Sequence, residues 1–366
     1  MVYSAIESTN PSADHSMSNL PVHSRTLGRT GLSVSEIGFG AASLGNLYQP
    51  VEESAARATI EAAWQAGVRY FDTAPYYGFG LSERRVGDAL RAANRADFVL
   101  STKVGRLLAP APHVADATER HGFYSAMPFE PVYDYSYRGV MQSFEHSLQR
   151  LGLARIDVLF IHDIGALTHG DANGELFKIC MEGGYKALDE LRAKGLVRAI
   201  GLGVNEWEVC EAAMEHGRFD CFLLAGRYTL LEQGALDSFI PKCAQHGATL
   251  VVGGAYNSGI LATGTRRAGT LHYNYAPAPA AIIERVRRIE TVCDAYDVTL
   301  AAAALQFPLA HSVVSSVIPG LGSARRVAET MELFHEPVPL AFWHELKRQG
   351  LLREDAPTPS ESTGAA

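Results

Sequence analysis

Tyr70-Phe71-Asp72-Thr73-Ala74-Pro75-Tyr76-Tyr77-Gly78 is the stretch on which the fold turns. Residues 68–71 read as a buried strand, and Pro75 and Gly78 stop it abruptly. Asp72 is thereby set at a strand's C-terminal end, on rigid backbone, with Tyr76 and Tyr77 on the loop that leaves it. Folds that alternate strands and helices build their sites at that end.

Outward from this point, strand-like runs recur near 37–42, 69–73, 98–103, 156–162, 199–204, 221–225, 249–253 and 313–318. Between them lie segments with helical apolar spacing, at 53–66, 82–93, 138–151, 183–194, 206–216, 235–246, 279–297 and 323–333. Such alternation demands parallel strands with right-handed crossovers, and eight units close into an α/β barrel, the (β/α)8 or TIM fold. An open doubly wound sheet is the alternative, but Gly38-Phe39-Gly40-Ala41-Ala42-Ser43 lacks the third glycine of its dinucleotide turn. A glycine-bearing turn with alternation on both sides, over 25–34, predicts a β-hairpin ahead of the barrel. Two connections on the C-terminal face exceed simple turns: 105–137, an expected substrate lid carrying Tyr124, Phe129, Tyr133, Tyr135 and Tyr137, and 163–177. Further helices are expected near 299–309 and 340–350. The domain reading is one barrel over 23–353, with loose segments at 1–22 and 354–366.

The composition narrows the function classes. Forty acidic against 32 basic residues give a net charge of -8 with no basic block, which excludes nucleic acid and anionic membrane as expected partners. The five cysteines are scattered without C-x-x-C spacing, and residues 1–22 lack a signal-peptide pattern, so reduced thiols and a cytoplasmic location are expected. The longest apolar run, 300–310, is too short to span a bilayer. The thirteen histidines show neither H-x-H nor H-E-x-x-H, so no metal site is expected. Oligomeric state is left open.

Three consecutive strands end in a charged or titratable residue: Asp72, then Lys103 after Val99-Leu100-Ser101-Thr102, then His162 after Val158-Leu159-Phe160-Ile161. Each alone can be structural. Together at one barrel mouth they are costly unless they use one another. A lysine neutralised by an aspartate can point its ammonium at a tyrosine hydroxyl and bring its pKa from about 10 toward working pH. A neutral histidine can hold a substrate oxygen.

Asp72-Thr73-Ala74-x-x-Tyr77-Gly78 with Ser82-Glu83, Ser101-Thr102-Lys103, Ile156-Asp157 before His162, 195–201 and Ile318-Pro319-Gly320 together resemble the aldo-keto reductase superfamily. The resemblance implies a catalytic tetrad of Asp72, Tyr77, Lys103 and His162, with Tyr77 rather than Tyr76 because the motif places its tyrosine directly before the glycine. Tyr76, Tyr135 and Arg227 become candidate substrate contacts. It also implies a nicotinamide dinucleotide extended across the mouth. Pro319-Gly320-Leu321-Gly322-Ser323 leading into a helix suits a phosphate, with Arg326 and Glu329 flanking the adenosine and Asn205, Arg227 and Gly253 nearer the nicotinamide. Gly320 stands where a basic residue often favours a 2′-phosphate; losing that cation weakens NADP recognition by roughly 1.5–3 kcal/mol. NAD is therefore expected, with NADP kept open by Arg326.

Residues 226–231, 201–206 and 253–261 resemble the branch of sugar dehydrogenases acting on L-fucose, D-threo-aldoses and L-galactose, to which pyridoxal 4-dehydrogenase is also similar. The implied reaction is oxidation of an aldose at C1 to the aldonolactone. Pyridoxal oxidation, NADPH-dependent aldehyde reduction and a non-enzymatic dinucleotide-binding subunit are the alternatives.

Overall fold

Why the chain closes into a barrel is visible in how its strands divide their side chains. In the computed structural model, which describes residues 22–114 and 119–360, eight parallel strands form one sheet. They are β3 (Phe39–Gly40), β4 (Tyr70–Asp72), β5 (Val99–Val104), β10 (Val158–His162), β11 (Ala199–Val204), β12 (Cys221–Ala225), β13 (Thr249–Gly253) and β16 (Val314–Ile318), adjacent in that order. Parallel bridges from Ile37 to Val317 and from Gly40 to Gly320 join the first strand to the last. The sheet therefore has no free edge to pair with another chain.

Side chains alternate across each strand. Tyr70, Val99, Val158, Phe160, Ala199, Cys221, Leu223, Val251 and Ile318 form one buried cluster inside the barrel. Their neighbours, among them Phe71, Leu100, Leu159, Ile161, Ile200 and Val252, face the surrounding helices in a second, larger core. The inner cluster also holds Leu27, Leu32 and Val34. These come from the antiparallel hairpin of β1 (Ser24–Leu27) and β2 (Leu32–Ser35), which stops the N-terminal end. Arg25 fixes the hairpin by donating to the Leu309 and Val314 carbonyls at 2.8 and 3.0 Å.

The helices fall where the apolar spacing puts them, including Glu53–Gln65, Leu81–Leu90, Tyr137–Leu151, Ala280–Tyr296 and Ala324–His335, with Leu300–Gln306 and Leu340–Arg348 as the added pair. The expected connection at 163–177 is instead largely helical. Ala166–His169 and Asn173–Ile179 run through a π-turn, Cys180–Gly184, into Tyr185–Ala193. The 105–137 connection is a ribbon rather than a loop: β6 (Arg106–Pro110) pairs with β9 (Phe129–Tyr133), and β7 (Glu119–Arg120) with β8 (Phe123–Tyr124). A further small hairpin, β14 (His272–Tyr273) and β15 (Ala276–Pro277), follows β13.

All five cysteines are buried and unpaired. No helix among the described residues is long and apolar enough to cross a membrane. The expected loose arm at 1–22 lies outside the described residues except for Val22, which packs on the core. Of the expected loose tail, residues 354–360 are described, and there Ala356 is 1% exposed and Asp355 pairs with Arg353 at 2.8 Å. Residues 361–366 lie outside the described residues.

Candidate active site

The three strand ends meet as their order requires. Lys103 Nζ donates to Asp72 Oδ2 at 2.6 Å and to the Thr73 carbonyl at 2.9 Å. Ser101 donates to the other Asp72 oxygen at 2.7 Å and bonds Tyr70 at 3.0 Å. Both charges are almost fully buried, at 2% and 1% exposure. A pair this deep depends on such further bonds, from Ser101 to the second carboxylate oxygen and from the ammonium to the Thr73 carbonyl. Burial works against the Lys103 ammonium, but Asp72 and Tyr77 outweigh it and raise its pKa, so the lysine stays charged.

The same ammonium lies 4.7 Å from the centre of the Tyr77 ring. Its pull on the phenol is smaller than the sequence suggested. Burial raises the Tyr77 pKa above its ordinary value; Lys103 lowers it, and Asp72 raises it again. The main cause is desolvation of the buried phenol, which outweighs the lysine, with Asp72 offsetting a further part of the lysine's pull.

Across the mouth, His162 meets Tyr77 edge to face, with ring centres 5.9 Å apart, and Tyr76 in the same way at 6.2 Å. Burial, then Arg106 and Lys103, hold its pKa well below the usual histidine value, leaving a neutral imidazole. Arg106 was not among the residues singled out from sequence. It sits in β6, 4% exposed, with NH1 2.7 Å from His162 Nδ1 and NH2 2.7 Å from Asp163 Oδ2. Gly105 brings it there: φ is +99°, and a Cβ would lie 2.4 Å from the Tyr135 ring. Only glycine turns the chain back toward the mouth at that point.

Tyr135 departs from its expected role at the substrate. It is 1% exposed, belongs to the outer core, and donates to the His162 and Asp163 carbonyls at 2.8 and 3.2 Å. Gly105 leaves room for its ring, so it braces the end of the histidine strand. Tyr76, half-buried, stays at the mouth under the Arg106 guanidinium, 4.3 Å from its ring centre. Exposed Tyr48, Tyr124, Tyr133 and Tyr275 add to the aromatic character of this face.

The residues expected at the dinucleotide divide into three places. Asn205, just past β11, accepts a long 3.4 Å contact from the Tyr275 hydroxyl. Arg227 bonds the Gly226 carbonyl at 3.1 Å and Asn274 at 2.7 Å, so the β14–β15 turn, which sequence did not single out, touches both. The inward ends of β12 and β13 are Ala225 and Gly253, paired in register, and leave a floor without bulky side chains. Beyond β16, Gly320 and Gly322 precede Ser323, whose hydroxyl caps the helix Ala324–His335 by accepting from the Arg326 amide at 3.2 Å. Arg326 and Glu329 lie 3.8 Å apart and line a groove of about 720 Å³ with Glu332, His335 and Glu336. The Tyr256 hydroxyl is buried without a hydrogen-bond partner, and burial pushes its pKa up to about 12 despite Arg326. A bare floor, a capped helix start and an orphaned hydroxyl between them fit a long polar ligand with a flat end.

Residues 36–349 match the model of the Aldo/keto reductase family. The chain is 46% identical to pyridoxal 4-dehydrogenase of Microbacterium luteolum over 339 residues, covering 90% of this chain and 97% of that protein. It is 37% identical to D-threo-aldose 1-dehydrogenase of a Pseudomonas species over 332 residues, with the same two coverages. Among solved structures, an aldo-keto reductase of Bacillus halodurans in its holo form superposes with a TM-score of 0.68 at 26% identity, covering 94% of this chain and all of that one. The chain belongs to the aldo/keto reductase family of (β/α)8 oxidoreductases.

Proposed function

We propose that this protein oxidises a cyclic hemiacetal to a lactone with NAD(P), its substrate an aldose of the L-fucose or D-threo-aldose type reacting at C1. The observation that carries the reading is the buried Asp72–Lys103 pair set against Tyr77, with neutral His162 facing the same phenol. When bound, the dinucleotide supplies the oxidant, its nicotinamide accepting a hydride from the carbon that bears the hydroxyl. Tyr77 takes the hydroxyl proton: the substrate O–H bond breaks, a phenol O–H forms, and the electron pair left on oxygen becomes the carbonyl π bond. Lys103 favours the phenolate, and Asp72 fixes the lysine. His162 donates through its protonated nitrogen to the reacting oxygen and orients it. Asn205 and the floor at Ala225 and Gly253 would hold the nicotinamide, and Gly320, Gly322 and Ser323 the phosphates. NAD suits the adenosine end better than NADP, since Glu329, Glu332 and Glu336 share the groove with a single arginine and disfavour a 2′-phosphate.

Pyridoxal is a second reading, favoured by the 46% identity and by the tyrosines around the mouth. Its hemiacetal offers the same carbon, bearing OH and H beside a ring oxygen, and a flat ring to stack. Initial rates of NADH and NADPH formation with L-fucose, D-arabinose, L-galactose and pyridoxal, with Tyr77→Phe as control, decide between them. Tyr77-dependent turnover of a sugar supports the first reading. A preference for pyridoxal replaces the substrate and keeps the mechanism. Silence with all four defeats hemiacetal oxidation.

A further inference from the structure

We propose that Arg106 is a positioning residue that sets His162 as a hydrogen-bond donor toward the reacting oxygen and keeps Asp163 from capturing that donor. The proposal rests on the hemiacetal reading for its kinetic arm and on geometry for the rest.

A guanidinium has only donors. At 2.7 Å from Nδ1, Arg106 NH1 therefore requires a lone pair on that nitrogen, and the ring hydrogen of the neutral imidazole resides on Nε2. Asp163 is the competitor. It follows His162 directly, adopts a left-handed φ of +50°, and brings Oδ2 to 3.5 Å from Nε2, slightly too far for a good hydrogen bond. The second Arg106 nitrogen holds that same oxygen at 2.7 Å and also meets the Tyr133 hydroxyl at 3.2 Å. One planar group thus binds the back of the imidazole and restrains the carboxylate beside its front. Tyr76 and Tyr133 flank the guanidinium, with ring centres 4.3 and 4.9 Å away. A lysine could not reproduce this, being a point donor without the fixed fork.

Without Arg106, nothing keeps the lone pair on Nδ1, so that nitrogen is free to take a proton, and the released Asp163 carboxylate is free to draw the Nε2 side away from the reacting oxygen. The reacting oxygen would then face a lone pair or an occupied donor. The substrate loses an oriented contact while the dinucleotide floor, on the other side of the mouth, is untouched.

The test is a double-mutant cycle with Arg106→Met and His162→Gln, read as kcat/KM on whichever substrate shows Tyr77-dependent turnover. Arg106→Met is expected to lower kcat/KM by roughly 10- to 100-fold in the parent protein and by less than about twofold in the His162→Gln background. Dinucleotide Kd, followed by tryptophan fluorescence, should stay within about twofold in both. Equal losses in the two backgrounds would overturn the proposal and make Arg106 a substrate contact or a general support. Arg106→Lys covers the case in which Arg106→Met does not fold, and is expected to show the same dependence on His162. An arm independent of turnover uses ¹⁵N-histidine NMR of the unliganded protein, with the His162 signals assigned by their loss in His162→Gln. The parent should show a protonated Nε2 and an unprotonated Nδ1, and both Arg106 variants a shift away from that pattern. An unchanged tautomer overturns the proposal even where no substrate has been found. Absent turnover with the tautomer shift intact defeats only the hemiacetal reading.

Discussion

The two halves of the barrel mouth are built on opposite principles. Strands β4, β5 and β10 end inward in Asp72, Lys103 and His162; β11, β12 and β13, equally deep, end in Gly203, Ala225 and Gly253. Register puts His162 directly beside Gly203, so the change happens between neighbouring strands. At that seam a Cβ on residue 203 would stand 3.3 Å from both Lys103 Cε and Phe160 Cβ, so the bare side makes room for the lysine stem. Buried charge is costly and is concentrated where each group has a partner. The opposite half, stripped of side chains, offers backbone and space. Buried charge and bare backbone thus occupy separate halves of one mouth, and on the proposed reading each can be disturbed alone.

The largest effect should come from breaking the charged half. Lys103→Met strands Asp72 in the interior, and loss of one partner of a buried pair costs about 3–5 kcal/mol. Chemical denaturation should show that loss together with a collapse of turnover; unchanged stability would mean that Asp72 is not held as an anion. Tyr77→Phe should spare stability and dinucleotide affinity while lowering kcat by about 10²–10⁴. The oxidation rate of the parent should also climb with pH above neutrality, because the raised Tyr77 pKa leaves the phenolate scarce there. A flat profile in single-turnover experiments would remove Tyr77 as the base.

Filling the bare half gives the complementary result. Gly253→Leu, whose Cβ would already be 3.3 Å from Leu223 Cδ2, should weaken dinucleotide binding by about tenfold or more. A normal Kd would place the nicotinamide elsewhere. The smallest effect is a slope. His162 has a depressed pKa in the folded protein, so below about pH 6.5 the unfolded chain binds a proton that the folded chain refuses. Stability should therefore fall with pH below 6.5 by up to about 1.4 kcal/mol per unit, until the folded pKa is reached. His162→Gln should flatten this slope; if it does not, the imidazole is already charged.

This division also explains what could be read in the chain beforehand. Strand ends such as Asp72, Lys103 and His162 were legible because a titratable residue closing an apolar run is conspicuous, and alternation of periods revealed the barrel. Arg106 was hidden because its place depends on the reversal at Gly105, which a linear pattern does not encode. Tyr135 was harder to place for the same reason: an aromatic residue in a long connection reads as part of a lid, yet past the β6–β9 ribbon it is buried in the outer core. The Tyr77 pKa failed differently, since the balance between burial and a shared lysine depends on distances.

The β1–β2 stopper carries a consequence for traffic. With the interior packed and the hairpin completing that packing at the base, ligands have only the C-terminal mouth to enter by, and molecules layered there leave in the reverse of the order in which they arrive. A dinucleotide lying on the floor at Gly253 would have to be seated before the substrate that covers it, and would depart only after the product. Release of the oxidised product would then gate recycling of the dinucleotide, however fast Tyr77 moves its proton.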